Sequence, residues 1–504
     1  MKKFMDSVED KTNKTLTENM AVTRKSSGSD VLDFFSKGGA LRTRSDEEII
    51  SIFTKAFAED KELALRCLFY LRDIRGGQGE RRVFRVIYRY LAKHYPKYAK
   101  ANFNNVPEYG RWDDLYSVFD TKLEADVANF MQKQLDRDIT AHKEDRDVSL
   151  LAKWLKSENA SSEDTKYLAR KTIDHFGMTP RTYRKILSKL RKKIGVVERK
   201  MSANNWSDIE FSNVPSKASM IYRNAFQRNA PAKYEEYIEK VMSGEETINA
   251  DTLFPYEIVR LMLRKELDWG TSELEIHEKN MLNEQWKALP QYNCTEENSI
   301  AVIDVSGSMH TNDFLPLSVA ISLGIYLAEH NSTPALKDRF ITFSGSPDLV
   351  KLQGNNLYER VMNCSKANWS MNTDIEAVFD LILNTALENN LSNEEIPQKL
   401  YIISDMEFDR GTSGWGKSVD ATLFEKLEQK YRENGYDLPL LVFWNVDSRN
   451  DQMPVKQDSR GFLTVSGCSP HTFKFVVDTE SVTPYDLMKE VLMDDRYGRV
   501  VVDV

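Results

Sequence analysis

Cysteine is scarce. The 504 residues hold four, Cys67, Cys294, Cys364 and Cys468, with no C-x-x-C pair and no framework spacing. That excludes a disulfide-built scaffold and suits a reducing, cytoplasmic compartment in which each thiol packs as a small hydrophobe. The seven histidines are dispersed, none at the short spacing of a zinc site, so a zinc enzyme is not expected. No stretch of about 18 residues reads as an apolar run, so no membrane partner is expected. Met1 to Met20 is polar and mixed in charge and does not read as a secretory signal. Low-complexity tracts are lacking too. With 41% hydrophobic and 11% aromatic residues, the chain can bury a core in each of two or three domains.

Charge is present but unevenly spread. The net charge of −8 divides into roughly +4 over residues 1–299 and roughly −12 over residues 300–504, which suggests two parts with different partners. Residues 1–30 are polar and read as a flexible tail. Helical spacing then dominates residues 31–295. Ser45-Asp46-Glu47-Glu48 reads as a capping box before Ile49, Ile50, Phe53, Ala56 and Phe57. A second helix carries Leu63, Cys67, Leu68, Leu71 and Ile74, with Gly76 and Gly77 able to stop it in a left-handed conformation. A third runs from Val83 to Leu91 and ends before Pro96. The same grammar continues over 115–135, 150–155, 164–176, 180–194, 216–228, 234–243 and 255–264. Antiparallel helix pairs without a strict repeat suggest an all-helical, HEAT-like solenoid.

Near Glu297 the grammar changes. Strands are expected at 299–305, 339–343, 349–352, 399–404, 440–444 and 472–477, alternating with helices at 313–329, 373–387, 419–433 and 485–493. This predicts a doubly wound α/β domain over 296–504, so the chain as a whole reads as α + α/β. Asp304, Ser306 and Ser308 follow the first strand, at the sheet edge where such folds bind ligands. One carboxylate and two hydroxyls are hard ligands that suit Mg2+, with Ca2+ or Mn2+ as alternatives. Thr373 opens a later helix, and Asp405 ends the strand at 399–404. The order D-x-S-x-S, threonine, aspartate resembles the metal-ion-dependent adhesion site (MIDAS) of von Willebrand factor A domains. A capped turn is the alternative for the D-x-S-x-S string alone. Asp374 reads as a helix cap, and Glu407 and Asp409 as a solvated rim. Ser306 lacks a histidine held by a third group, His310 notwithstanding, so an enzyme is not expected.

Two segments of the helical part carry positive charge. Asp73 to Arg82 places three glycines between helices with Arg75, Arg81 and Arg82 around them. It can be a plain turn with solvated arginines, or amides and arginines meeting phosphate. Between Lys166 and Lys200 there are roughly twelve basic residues against two acidic ones. Arg170, Lys171, Arg181, Arg184, Lys185, Lys189, Arg191, Lys192 and Lys193 dominate, with Tyr167, Tyr183 and Trp206 interleaved as candidate base-stacking rings.

DIRGGQGER, followed by VPEYGRWDDL from Val106 to Leu115, resembles the helical-repeat (TROVE) domain of Ro ribonucleoproteins, and the C-terminal domain matches the second half of that architecture. VPSKAS at Val214–Ser219 and LVFWNVD at Leu441–Asp447 fit Ro-like proteins of phages, large viruses and plants. The resemblance implies binding of small structured or misfolded non-coding RNA through the basic helices. It also implies a metal site open to an acidic residue of a protein ligand. The helical part is shorter than that of a full ring protein, so ring closure stays open. A metal-dependent protein-interaction scaffold without RNA is the alternative.

Overall fold

The computed structural model describes residues 8, 10, 12–267, 273–292, 298–343, 346–366, 374–409, 423–477, 479 and 482–504. It has the α + α/β layout: a helical N-terminal region and a C-terminal mixed sheet. Its contacts define two compact units, Met1–Cys67 with Ala250–Asp494, and Leu68–Asn249 with Asp495–Val504. Both cut across the single boundary near residue 295 expected from the sequence.

The first unit is built on a six-stranded sheet. Its strands are β3 (Ser299–Ile303), β4 (Arg339–Thr342), β5 (Leu349–Lys351), β6 (Lys399–Ser404), β7 (Leu440–Asn445) and β8 (Phe462–Ser466), ordered β5-β4-β3-β6-β7-β8. All neighbours are parallel except β4 and β5. The central strands SIAVI and KLYIIS are buried at every position, as strands covered on both faces must be. Even Lys399 is buried, its Nζ donating to the carbonyls of Val476 and Val477 at 2.9 Å each. The register pairs Ile303 with Ile403 and Ser404 with Asn445, so the carboxyl ends of β3, β6 and β7 lie side by side. The segment Gly307–His330 is apolar enough by composition to cross a membrane, but 78% of its most apolar 18 residues are buried, and it packs on β3, β4 and β6.

Three expectations for this unit change. The segment Thr472–Val477 is no strand: Ser469 caps a 3-10 turn, and Phe473–Val476 is helical. The missed strand is β8. The N-terminal segment is not a free tail either. Strands β1 (Lys14–Leu16) and β2 (Val22–Arg24) form a hairpin, and isolated bridges join Met20 to Asp409 and Arg24 to Met453. Arg24 is buried and ion-paired with Asp10 and Glu425 at 2.6 Å each.

The second unit is helical. The capping box at Ser45 belongs to the first unit and forms as expected, and the second has its own clear stops. Thr179 accepts a hydrogen bond from the Thr182 amide, Pro180 sits in the first turn, and Gly195 ends the Pro180–Ile194 helix at φ 74°. The last ten residues are threaded into this unit. Asn102 and Asn105 donate to the carbonyls of Val501 and Arg499 at 2.8 and 2.9 Å, and Tyr109 donates to that of Arg496 at 2.5 Å.

Candidate functional site: a carboxylate cluster and a basic helical face

Asp304 follows β3 and is fully buried. Its Oδ1 accepts the Ser306 amide at 2.9 Å and its Oδ2 accepts the Ser404 hydroxyl at 2.6 Å. Ser306 Oγ and Ser308 Oγ lie 3.0 Å apart. Asp405 follows β6 and is 2% exposed. Burial first, then the charge of Asp405, pushes Asp304 well above the usual carboxylate range. Burial and the neighbouring Asp405 charge both act against ionised Asp304, and a hard cation beside it would relieve this even though Asp405 is itself paired with Arg449. Asp304, Ser306, Ser308 and Asp405 are the residues that could hold a divalent ion. Thr373, the remaining expected ligand, lies outside the described residues. Among the described residues no three His, Cys, Asp or Glu side chains converge as a metal cluster, so the hydroxyls are needed. Asp374 caps the Ile375–Asn389 helix as expected, accepting the Ala377 amide at 3.2 Å.

The rim is not the solvated edge expected from the sequence. Arg449 Nη2 donates to Asp405 Oδ2 at 2.8 Å, and its Nη1 lies 3.0 Å from Glu18 Oε2 in the N-terminal hairpin. Glu407 is buried and accepts the Glu18 amide at 2.7 Å and the side chains of Asn450 and Gln452 at 2.8 Å each. Asp447, after β7, accepts Thr43 Oγ1 at 3.1 Å and Asn312 Nδ2 at 3.3 Å. Asn312, Asp313 and Phe314 all hold positive φ, a costly run for residues with a Cβ. Arg260 clasps that turn, donating to the carbonyls of Asp313 and Asn312 at 2.9 and 2.8 Å. Sequence reading passed over Arg449, Glu18, Asp447 and Ser404; the one available signal was the position of Ser404 beside Asp405.

In the second unit the basic segment sorts into two sets. Arg170, Arg181, Arg184, Lys185, Lys189 and Lys192 are exposed and carry no ion pair among the described residues. The other three are structural. Arg191 donates to the carbonyls of Ala152 and Leu155 at 2.8 Å each and to Ser157 Oγ at 3.0 Å. Lys171 bridges Asp120 and Glu124 at 2.6 Å each, and Lys193 pairs with Asp145 at 2.6 Å. Of the candidate stacking rings, Tyr183 is buried, with its hydroxyl on the Lys156 carbonyl at 2.9 Å. Trp206 is half-buried, and Tyr167 is 47% exposed.

The glycine-rich turn is built by packing. A Cβ on Gly77 would overlap the Tyr70 carbonyl, and the left-handed residue is Gly79, at φ 64°, rather than Gly76 or Gly77. Asp73 is gripped by Arg496 and Tyr497. Arg75 donates to the Glu108 carbonyl at 2.6 Å, whereas the Arg81 side chain is exposed with no hydrogen bond among the described residues. Arg82 is exposed as well. Asp114, in the VPEYGRWDDL string, is fully buried and accepts Arg72 Nε at 2.8 Å and Arg85 Nε at 2.7 Å, from either side of DIRGGQGER, and the Arg111 amide at 2.9 Å.

A parallel α/β unit with a carboxylate–hydroxyl cluster at its strand ends, and a separate helical unit with a bare basic face, define the class of protein. The profile described as "Domain of unknown function (DUF2828)" matches residues 17–132 and 148–292, about half of the chain, and the chain belongs to that family. A second profile, "Domain of unknown function (DUF7788)", matches residues 298–497. Its start coincides with the change of grammar near residue 297. The chain is also 32% identical over 521 residues to "Uncharacterized protein L728" of Acanthamoeba polyphaga mimivirus, covering 95% of this chain and 87% of the relative.

Proposed function

We propose that the protein binds structured RNA through its helical unit, in the manner of Ro ribonucleoproteins, with a HEAT-like helical array and a von Willebrand factor A-type domain. The observation that carries this reading is the set of six exposed cations without partners, Arg170, Arg181, Arg184, Lys185, Lys189 and Lys192. Cations on a merely solvated face are commonly interleaved with acids. Here Asp120, Glu124 and Asp145 are paired with Lys171, His175 and Lys193, and the six make no ion pair among the described residues. Phosphate contacts of this kind supply affinity without sequence preference.

The α/β unit has a second role in this reading. Asp304, Ser306, Ser308 and Asp405 hold a divalent cation, Mg2+ in a magnesium-rich compartment, which leaves a coordination position for an acidic group of a partner. Among the described residues no nucleophile is paired with a base at the site, and in this reading the site binds a partner. The test is a variant with Arg184, Lys185, Lys189 and Lys192 changed to glutamine, titrated against a pool of small structured RNAs. The fold should survive, because none of the four is anchored, and affinity should drop for every RNA in the pool. Unchanged affinity would assign any RNA binding to another surface.

A further inference from the structure

A second cationic cluster in the helical unit is more enclosed than the open face and differently built. Three cationic heads converge on one oxygen, Asp113 Oδ2: Arg111 Nη2 at 2.8 Å, Arg85 Nη2 at 2.9 Å and Lys156 Nζ at 3.9 Å. Arg72 and Arg85 share the neighbouring Asp114. Arg81 stands close enough that its charge and those of Arg85 and Arg111 repel. Five cations thus face two aspartates, and the surplus is positive.

That surplus is not spent on hydrogen bonds. Arg85 Nη2 is buried and has no hydrogen-bond partner, its approach to Asp113 being an ion pair only. Lys156 Nζ is beyond hydrogen-bond reach of Asp113 and lies over the Tyr116 ring at 5.3 Å, and the Arg81 side chain makes no hydrogen bond or ion pair among the described residues. Desolvation, and then its cationic neighbours, push Arg81 below its usual value. Lys156 is pushed down by desolvation, which the attraction of Asp113 only partly offsets against Arg85, Arg111 and Arg81. Such a group of donors is relieved by an anion with several oxygens.

The cluster also has a flat neighbour. The Arg111 guanidinium lies 4.0 Å from the centroid of Trp154. Trp154 is half-buried and lines a cavity of about 610 Å³ together with Lys153, Glu198, Arg199 and Ser202. A phosphate site beside an aromatic wall has the two parts that a nucleotide needs, donors for the phosphate and a ring for the base. We propose that Arg81, Arg85, Arg111 and Lys156 bind the phosphate of a nucleoside phosphate whose base stacks on Trp154. A free nucleotide and one unit of a single strand offer the same chemistry. A paired base within a duplex does not, because its faces are already stacked. The site uses none of the six cations of the exposed face and does not rest on the RNA reading.

The experiment titrates the full chain at low salt with adenosine diphosphate, hexauridylate and inorganic pyrophosphate, by calorimetry. Arg81→Gln with Lys156→Gln should weaken every one of these that binds, by about tenfold for each cation whose contact is lost, with an unchanged melting temperature. Trp154→Leu should weaken the nucleotides by roughly five- to a hundredfold and leave pyrophosphate unaffected, while Trp154→Phe restores most of the loss. Tight diphosphate with weak hexamer binding makes the ligand a free nucleotide, and the reverse makes it a strand. The proposal is overturned if none of the three binds, or if binding is unchanged in the Arg81→Gln, Lys156→Gln variant. Structured RNA titrated against wild type and the same variant separates the two readings: RNA bound by both, with nucleotide binding absent from wild type, removes this site and leaves the open basic face standing.

Discussion

Changing Asp114 to asparagine should destabilise the helical unit more than any other single-atom exchange on its surface or in its loops. Asp114 is fully buried and Arg72 is 2% exposed. Arg72 Nε and Nη2 each lie 2.8 Å from Asp114 Oδ2, which also accepts the Arg111 amide, and Arg85 Nε lies 2.7 Å from Oδ1. Burial already pushes Arg72 below its ordinary value, and the attraction of Asp114 is the main term opposing that. Asparagine keeps the shape, removes the charge and turns one acceptor into a donor facing a guanidinium. Breaking a buried pair on one side costs about 3–5 kcal/mol, which for a unit of this size is a fall in melting temperature of roughly 6–20 °C. Thermal unfolding followed by calorimetry gives the number. Asp126→Asn is the control, since its 2.6 Å pair with Lys100 is exposed on both sides and is worth under about 1 kcal/mol. If the two variants melt together, the cluster joining the two signature strings is not structural and its arginines are free for other work.

Three further outcomes follow from other contacts. Lys171 holds the carboxyl of Asp120 below its usual value, so wild type should be more stable than Lys171→Met at neutral pH. That advantage should shrink as pH falls below about 4, where the unfolded carboxyl takes up its proton; a difference that is constant with pH in urea titrations would contradict the assignment. Gly39→Ala should cost about 1–3 kcal/mol, because its Cβ would lie 2.8 Å from Gly467 Cα and 2.9 Å from the Ser466 carbonyl carbon; unaltered denaturant midpoints would show that this backbone crossing yields. Wild type should give a calorimetric signal on Mg2+ or Mn2+ addition that Asp304→Ala abolishes, and a signal preserved in the variant would move the metal away from the strand ends.

The sheet was largely legible because its central strands are continuous apolar runs bounded by turn residues. Strand β8 escaped because its inward positions include Thr464 and Ser466, which are buried by hydrogen bonds to Ser36 and to the Phe35 carbonyl rather than by apolarity. The segment after it, rich in β-branched and aromatic residues, reads as a strand but is turned into helix by the Ser469 cap and tertiary packing. At the candidate metal site, Asp304, Ser306, Ser308 and Asp405 could be read from motif and strand-end position. Arg449 and Glu18 could not, since 431 positions separate them in the chain. Arg191 shows the same limit from the other side. Its spacing places it with the basic residues of its helix, but its guanidinium reaches back 34 to 39 positions to close a loop. Charge pattern locates a basic helix; only contacts reveal which charges are occupied.

The most direct measurement is the salt dependence of binding to small structured RNA, with and without EDTA. If all six bare cations reach phosphate, affinity should fall by about a thousandfold between 50 and 200 mM salt, and EDTA should leave that slope unchanged because the cations and the carboxylate cluster belong to different units. Binding that is absent at low salt, or that is insensitive to salt and lost with EDTA, would contradict the account and leave a metal-dependent protein scaffold in its place.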